Sequence, residues 1–320
     1  MSTEVMVVGS FFPSVLEDLQ KKFNVLHVQS KEELAALDDS DLANIEGMAS
    51  FGWGPAEVID RFPKLKLISS FAVGYDNIAA DYAASKKIFV THTPNVLNDD
   101  VANTAIMLLL ATMRKLVVQD RYLRDGRWER EGTAPLTRSV AGKTVGIVGL
   151  GRIGEAIAEK LSVFNCTTVY HSRNKKPGVA FQYYKNLVEM AENCDVMIVI
   201  TPGGAATDKL INKKVIEALG PEGTLINVAR GTVVDEKEMI AALSDGRLGA
   251  AGLDVYEQEP KVPHDLIALD NVVLLPHVAS ATWETRQAMA DLMVENLITY
   301  FETGVPVTPV PECSHLIKGK

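Results

Sequence analysis

Short apolar runs alternate along this chain with longer stretches whose apolar residues recur at helical spacing. In the first hundred residues the runs are VMVVG (5–9), NVLHV (24–28), LKLISSF (65–71) and KIFVTH (87–92). Helical stretches such as PSVLEDLQKKF and PAEVIDRF lie between them. Further on come TVGIV from Thr144, TTVY from Thr167, CDVMIVIT (194–201), GTLINVA (223–229), GAAGLDV (249–255) and VVLLP (272–276). Strands alternating with helices predict parallel sheets. A helix is predicted from about Asp99 to Lys115 and an amphipathic one from Trp283 to Thr303. The segment RDGRWEREGTAPLTRSVAGK is polar and rich in glycine and charge, so it reads as a long loop or arm.

The run from Thr144 turns through Gly149, Gly151 and Gly154, spaced G-x-G-x-x-G, continues as the helical EAIAEKL and returns as TTVY. Strand, glycine turn, helix and strand in that order describe a dinucleotide-binding corner. Its first glycine permits the tight turn, and its second lets the backbone approach the pyrophosphate. The third lets helix and strand pack closely, and the phosphates meet free N–H groups at the helix start. An acid about 20 residues on would hold a ribose 2′-hydroxyl. This chain has His171, Ser172, Arg173, Asn174, Lys175 and Lys176 there. An arginine fork, a serine hydroxyl and nearby lysines suit a 2′-phosphate, so NADP(H) is expected over NAD(H).

The corner begins well inside the chain, so another domain precedes it. The expected architecture is α/β, with two Rossmann-like parallel-sheet domains and the active-site cleft between them. The last helix is expected to cross back, giving a discontinuous substrate domain of 1–98 plus 290–320 and a dinucleotide domain of 99–289.

Composition narrows the partners. A net charge of −9 disfavours nucleic acid, and 47% hydrophobic residues suit a soluble globular protein. The apolar run 105–113 is too short to span a bilayer. Cys166, Cys194 and Cys313 are dispersed, with no C-x-x-C pair, so neither a disulfide scaffold nor a metal site is expected. No basic leader opens the chain, and the expected compartment is the cytoplasm.

Three candidates lie just past predicted strand ends: Arg230 in NVARGTVVDE, Glu259 in DVYEQEP and His277 in LLPHVASAT. Ligands gather at that edge of an α/β sheet. Together they suit hydride transfer to a carbonyl beside a carboxylate. His277 would supply the proton, Glu259 would orient the imidazole, and Arg230 would bind the carboxylate.

The chain resembles the D-isomer-specific 2-hydroxyacid dehydrogenases over essentially its whole length. The matching segments include SSFAVGYDNI (69–78), TPNVLNDDVANTA (93–105), LINVARGTVVDE, GAAGLDVYEQEP and LLPHVASATWETR. Within that family it is most similar to NADPH-dependent glyoxylate/hydroxypyruvate reductases and the related hydroxyphenylpyruvate reductases. The resemblance implies that Arg230, Glu259 and His277 are the catalytic set, and that backbone N–H groups at Val73 and Gly74 help hold a small 2-keto acid. It implies cofactor contacts at Gly149, Gly151, Arg152, Ile153, Gly154, Ser172, Arg173, Lys175, Val228, Asp254 and Ala279. It also implies a homodimer, to which the arm at 121–143 and the helix at 104–113 would contribute. Two positions depart from the family pattern: Ala279 stands where glycine is frequent, and Asn103 where an acid is. The expected reaction is reduction of glyoxylate or hydroxypyruvate to the D-hydroxy acid. The alternatives are an aryl 2-keto acid such as hydroxyphenylpyruvate, with Phe51, Trp53 and Trp283 lining the site, or a dinucleotide-sensing scaffold. Glu259 disfavours a formate dehydrogenase, which carries an amide there.

Overall fold

A computed structural model describes residues 3–317, and they form two compact α/β units. One unit holds the described residues up to Leu97 and those from Ala281 onward; the other is Asn98–Ser280.

The strands of the first unit are β1 (Glu4–Val8), β2 (Asn24–Val28), β3 (Ile45–Ser50), β4 (Trp53–Gly54), β5 (Leu67–Ser70), β6 (Asn77–Ile78) and β7 (Phe89–Thr91). Five form a parallel sheet in the order β2-β1-β3-β5-β7, and β4 pairs with β6 apart from it. The central β3 carries no apolar run to announce it. Its sequence IEGMAS is interrupted by Glu46 and by Gly47, over which a helix lies. A Cβ on Gly47 would stand 2.9 Å from Phe301 and 3.0 Å from Leu297. Those residues belong to the helix Trp283–Thr303, capped by the Thr282 hydroxyl at its start and by left-handed Gly304 at its end. The helix also seats on β5, where the buried Ser69 hydroxyl donates to the Met293 carbonyl at 2.8 Å. All of it therefore belongs to the first unit, whose second segment begins at Ala281 and not at 290.

The second unit contains β8 (Thr144–Val148), β9 (Thr167–His171), β10 (Gln182–Tyr183), β11 (Val196–Val199), β12 (Thr224–Asn227), β13 (Ala250–Leu253) and β14 (Val272–Leu274). They make one parallel sheet in the order β10-β9-β8-β11-β12-β13-β14. Continuous apolar runs such as VMIV and TLIN are buried along their length, as expected of strands covered on both faces. Strand order reverses beside β8, so the glycine turn that follows it opens at the switch point of the sheet.

The helix Asn98–Met113 packs into this unit, with Ala105, Leu108 and Leu109 fully buried. The chain then turns at left-handed Lys115 into the helix Leu116–Arg124. The stretch read as a loop from Arg124 contains a further short helix, Arg127–Glu131, held by an i,i+4 ion pair of 2.8 Å between its end residues. Only 132–143 is irregular. Among the described residues no single helix is long and apolar enough to cross a membrane.

Candidate active site

Two of the three fingerprint glycines are required by the fold itself, and the third faces open space. Gly149 has φ +103°, and a Cβ on it would lie 2.8 Å from the Ile200 carbonyl oxygen. A Cβ on Gly154 would lie 2.3 Å from the Gly149 carbonyl oxygen, so the helix Arg152–Leu161 rests directly on the turn. A Cβ on Gly151 would enter open space. No side chain caps this helix, and its first-turn N–H groups are left for an anion. These residues fit a bound pyrophosphate. Arg152 is exposed and Ile153 half-buried at the helix start. Beside the turn, the Thr201 hydroxyl is buried with no hydrogen-bond partner among the described residues. Sequence reasoning gave Thr201 no role, although it directly ends the run CDVMIVIT.

The basic turn follows β9. Arg173 and Lys175 are exposed, and no carboxylate among the described residues pairs with either. Ser172 is turned inward: its hydroxyl donates to the Asn174 carbonyl at 2.6 Å, so its hydrogen shapes the turn. Lys176 reaches back to the glycine turn, bonding Glu155 at 2.6 Å and the Leu150 carbonyl at 3.2 Å. Its charge is matched by Glu155, which leaves Arg173 and Lys175 as the open cations.

The remaining residues gather at the C-terminal edge of the same sheet. After β12, Val228 is buried and Arg230 half-buried. The Asn227 side chain holds this loop through the Ala229 N–H and the Arg230 carbonyl, both at 3.0 Å. After β13, Glu259 accepts from the Tyr256 N–H at 3.1 Å through Oε1 and from His277 Nδ1 at 2.6 Å through Oε2. Burial pushes the Glu259 carboxyl up. The His277 hydrogen bond and charge, the Tyr256 N–H and the Arg230 charge outweigh that, so it lies below the usual carboxylate range. After β14, His277 adopts a left-handed φ of +53°, a conformation a non-glycine residue holds only when its surroundings impose it.

Asp254 does the imposing. It is 1% exposed, its carbonyl accepts the His277 N–H at 2.9 Å, and its carboxylate accepts from Val278 at 2.7 Å and Ala279 at 2.9 Å. Burial keeps its carboxyl above the usual range despite those donors. Both oxygens thus serve the histidine loop. Ala279 is buried, and its carbonyl accepts from the Thr104 hydroxyl at 3.3 Å. Asn103, on the neighbouring helix, is exposed and touches Asp100 at 3.5 Å.

Residues 106–279, just over half of the chain, match the D-isomer specific 2-hydroxyacid dehydrogenase, NAD binding domain. The chain belongs to the D-isomer-specific 2-hydroxyacid dehydrogenases. This dehydrogenase is 47% identical over 296 residues to a glyoxylate/hydroxypyruvate reductase of Arabidopsis thaliana, covering 92% of this chain and 94% of that protein. It is 46% identical over 297 residues to the hydroxyphenylpyruvate reductase of Plectranthus scutellarioides, with the same coverage. Among solved structures it is similar to the NADPH-dependent glyoxylate/hydroxypyruvate reductase of Sinorhizobium meliloti in complex with NADP and malonate. The TM-score is 0.94 at 46% identity, over 98% of each chain. The dehydrogenase is thus an oxidoreductase that uses a nicotinamide dinucleotide, and its glycine turn is built for one.

In the first unit, Val73 and Gly74 follow β5 on an exposed-side turn. Their N–H groups engage nothing among the described residues, whereas the Val73 carbonyl accepts from His92 Nδ1 at 3.1 Å. Phe71, just before this turn, packs against Phe51 with ring centroids 5.2 Å apart and the Arg286 guanidinium over both. Trp283 is 79% exposed and stacks on Phe12, whereas Trp53 lies under the Lys31 ammonium.

Proposed function

We propose that this dehydrogenase reduces small 2-keto acids, glyoxylate and hydroxypyruvate foremost, to D-2-hydroxy acids with NADPH. The observation that carries the reading is the 2.6 Å contact of His277 with Glu259, on the sheet edge that also bears Arg230 and the glycine turn. The bound nicotinamide would supply the hydride to the keto carbon. Arg230 would pair with the substrate carboxylate and draw charge from the adjacent carbonyl. In the first unit, the Val73 and Gly74 N–H groups would be carboxylate donors. Because Nδ1 of His277 faces Glu259, the proton for the keto oxygen would leave from Nε2, and the ring would remain held through its Nδ1–H. Glu259, kept ionised by the site, is suited to that role. Arg173 and Lys175 would grip the 2′-phosphate, with Arg152 and Ile153 along the pyrophosphate. The S. meliloti neighbour, described as NADPH-dependent and holding NADP, supports that preference.

An aryl 2-keto acid is the second reading. The 46% identity to a hydroxyphenylpyruvate reductase and the exposure of Phe51 and Trp283 favour it. A spectrophotometric panel of NADPH and NADH against glyoxylate, hydroxypyruvate and hydroxyphenylpyruvate tests both readings. The highest kcat/KM is expected for a small keto acid with NADPH, and preference for the aryl acid would reverse the order.

We further propose a homodimer formed through the second unit. Leu116, Val117, Leu123, Trp128 and Leu136 are exposed along its arm, from 44% at Val117 to 92% at Leu136, more apolar surface than a monomer comfortably shows to water. Three free thiols support a reducing compartment, the cytoplasm.

A further inference from the structure

The turn after β5 has its carbonyls taken and its N–H groups spare. The Ala72 carbonyl accepts from the Thr93 N–H at 2.9 Å, and the Val73 carbonyl accepts from the His92 ring at 3.1 Å. A carbonyl oxygen can only accept, so Nδ1 of His92 carries the hydrogen there. The N–H groups of Val73 and Gly74 find no partner among the described residues. A turn fixed through its carbonyls offers its N–H groups to an anion.

His92 is itself fixed from behind. Its N–H donates to the Thr308 carbonyl at 3.3 Å, and its carbonyl accepts from the Thr308 hydroxyl at 2.6 Å. Thr308 is in turn bound by the fully buried Asn296, which donates to its hydroxyl and accepts from its N–H, both at 2.8 Å. The edge of one ring meets the face of another between Tyr75 and His92, with centroids 5.5 Å apart and planes at 86°. The Tyr75 hydroxyl donates to Glu312 at 3.2 Å; burial, with Glu312 beside it, pushes that hydroxyl up to about 12, so it stays a donor. A chain of hydrogen bonds thus runs from the long helix through Thr308 and His92 to the Val73 carbonyl, within one unit.

We propose that His92 is a positioning residue for substrate binding, its Nδ1–H holding the Val73 carbonyl so that the Val73 and Gly74 N–H groups stay free for the carboxylate. This rests on the reading of that turn as a carboxylate site. Sequence reasoning counted His92 only as the end of the run KIFVTH and gave it no role.

The test uses the full-length enzyme. His92→Phe keeps the ring and its contact with Tyr75 but removes the N–H donor. His92→Asn restores a side-chain N–H near the position of Nδ1. For His92→Phe the KM for glyoxylate should rise about 3- to 10-fold, the worth of one hydrogen bond, with kcat and the KM for NADPH within about twofold of wild type. His92→Asn should recover most of the loss. Should His92→Phe fail to fold, His92→Leu takes its place. Hydrogen exchange of the 70–76 peptide is measured in parallel, with and without oxalate in the presence of NADPH. Protection by oxalate in the wild type is expected. Its absence would remove the turn as a carboxylate site, and the proposal with it. Protection in the wild type together with an unchanged glyoxylate KM in His92→Phe would overturn the role of His92 alone. A uniform fall in kcat, NADPH affinity and melting temperature, unrescued by asparagine, would mean a purely structural residue and would also overturn it.

Discussion

Gly231 and Tyr256 lie backbone against backbone: a Cβ on Gly231 would stand 1.8 Å from the Tyr256 carbonyl carbon and 2.0 Å from its oxygen. Gly231 directly follows Arg230, and Tyr256 gives its N–H to Glu259 at 3.1 Å. The Tyr256 hydroxyl donates to the Leu275 carbonyl at 2.9 Å, two residues before His277. One buried tyrosine therefore connects the loops that carry the arginine, the carboxylate and the histidine, and a glycine is what lets the first of them come so close.

Gly231→Ala should therefore damage activity more than its single methyl suggests. The obstacle is backbone, which cannot swing aside as a flexible side chain can. Overpacking of this kind costs about 3 kcal/mol. Displacing the Arg230 loop by about an ångström would lower kcat about 100-fold. Denaturant unfolding and steady-state kinetics check both. A variant with wild-type kcat would show that the two loops need not touch.

On the proposed mechanism, His277→Ala removes the proton donor and nothing that builds the glycine turn. Turnover should fall by about 10²–10⁴. NADPH affinity, read by fluorescence titration, should stay within about twofold, a change that RT makes worth under about 0.5 kcal/mol. Comparable losses in both quantities would mean that the histidine loop braces the cofactor site and is not the acid.

The strands that were plainest in the sequence are those buried on both faces, where apolar residues run almost unbroken: Val196–Val199 and Thr224–Asn227 are such cases. β3 escaped because Glu46 and Gly47 break its apolar run, and Gly47 is there to admit Phe301 and Leu297 from 250 residues further along. No local pattern carries that information. In the site, Gly149, Gly151 and Gly154 were legible by their G-x-G-x-x-G spacing between a strand and a helix, with Gly149 and Gly154 required by the turn itself. Arg230, Glu259 and His277 were legible by their places after strands, together with the family resemblance. The bracing was not. Asp254 was read for the cofactor alone, and its two oxygens also hold the His277 loop. Lys176 was read only as one of the lysines of the basic turn, and it is tied to Glu155. Which partner a charged side chain takes depends on distances between loops far apart in sequence.

Glu236 illustrates a buried acid whose charge is a liability. It is 8% exposed, and its carboxylate accepts the Glu257 N–H at 3.1 Å. Burial pushes it above the usual range, the Glu257 N–H pulls it back in part, and the Glu257 charge adds to the rise. An acid raised in the folded state favours folding below its unfolded value of about 4.3 and loses that contribution as pH climbs through its folded value. Glu236→Gln keeps an acceptor for the Glu257 N–H and removes the charge. The melting temperature of the variant relative to wild type should therefore increase from pH 5 to pH 8. A difference that stays flat or falls over that interval would contradict a charged, strained Glu236.

Arg173→Ala addresses the choice of dinucleotide. Arg173 stands two residues past the end of β9, where a carboxylate would select a free ribose 2′-hydroxyl and repel a phosphate. It is exposed and pairs with no described carboxylate, whereas Ser172 spends its hydrogen on Asn174 and Lys176 is matched by Glu155. Lys175 alone would remain as an open cation at the turn, a point charge without the planar fork that suits phosphate oxygens. Hydrogen bonds to a charged group are worth about 1.5–3 kcal/mol, so the KM for NADPH should rise about 10- to 100-fold. The KM for NADH has no such bond to lose and should change less than about twofold, because a group that touches only the 2′-phosphate contributes nothing to its absence. Kinetics with both cofactors at saturating glyoxylate separate the outcomes. An equal rise for the two would place Arg173 on a part of the dinucleotide they share, and the proposed preference for NADPH would lose its support at this turn.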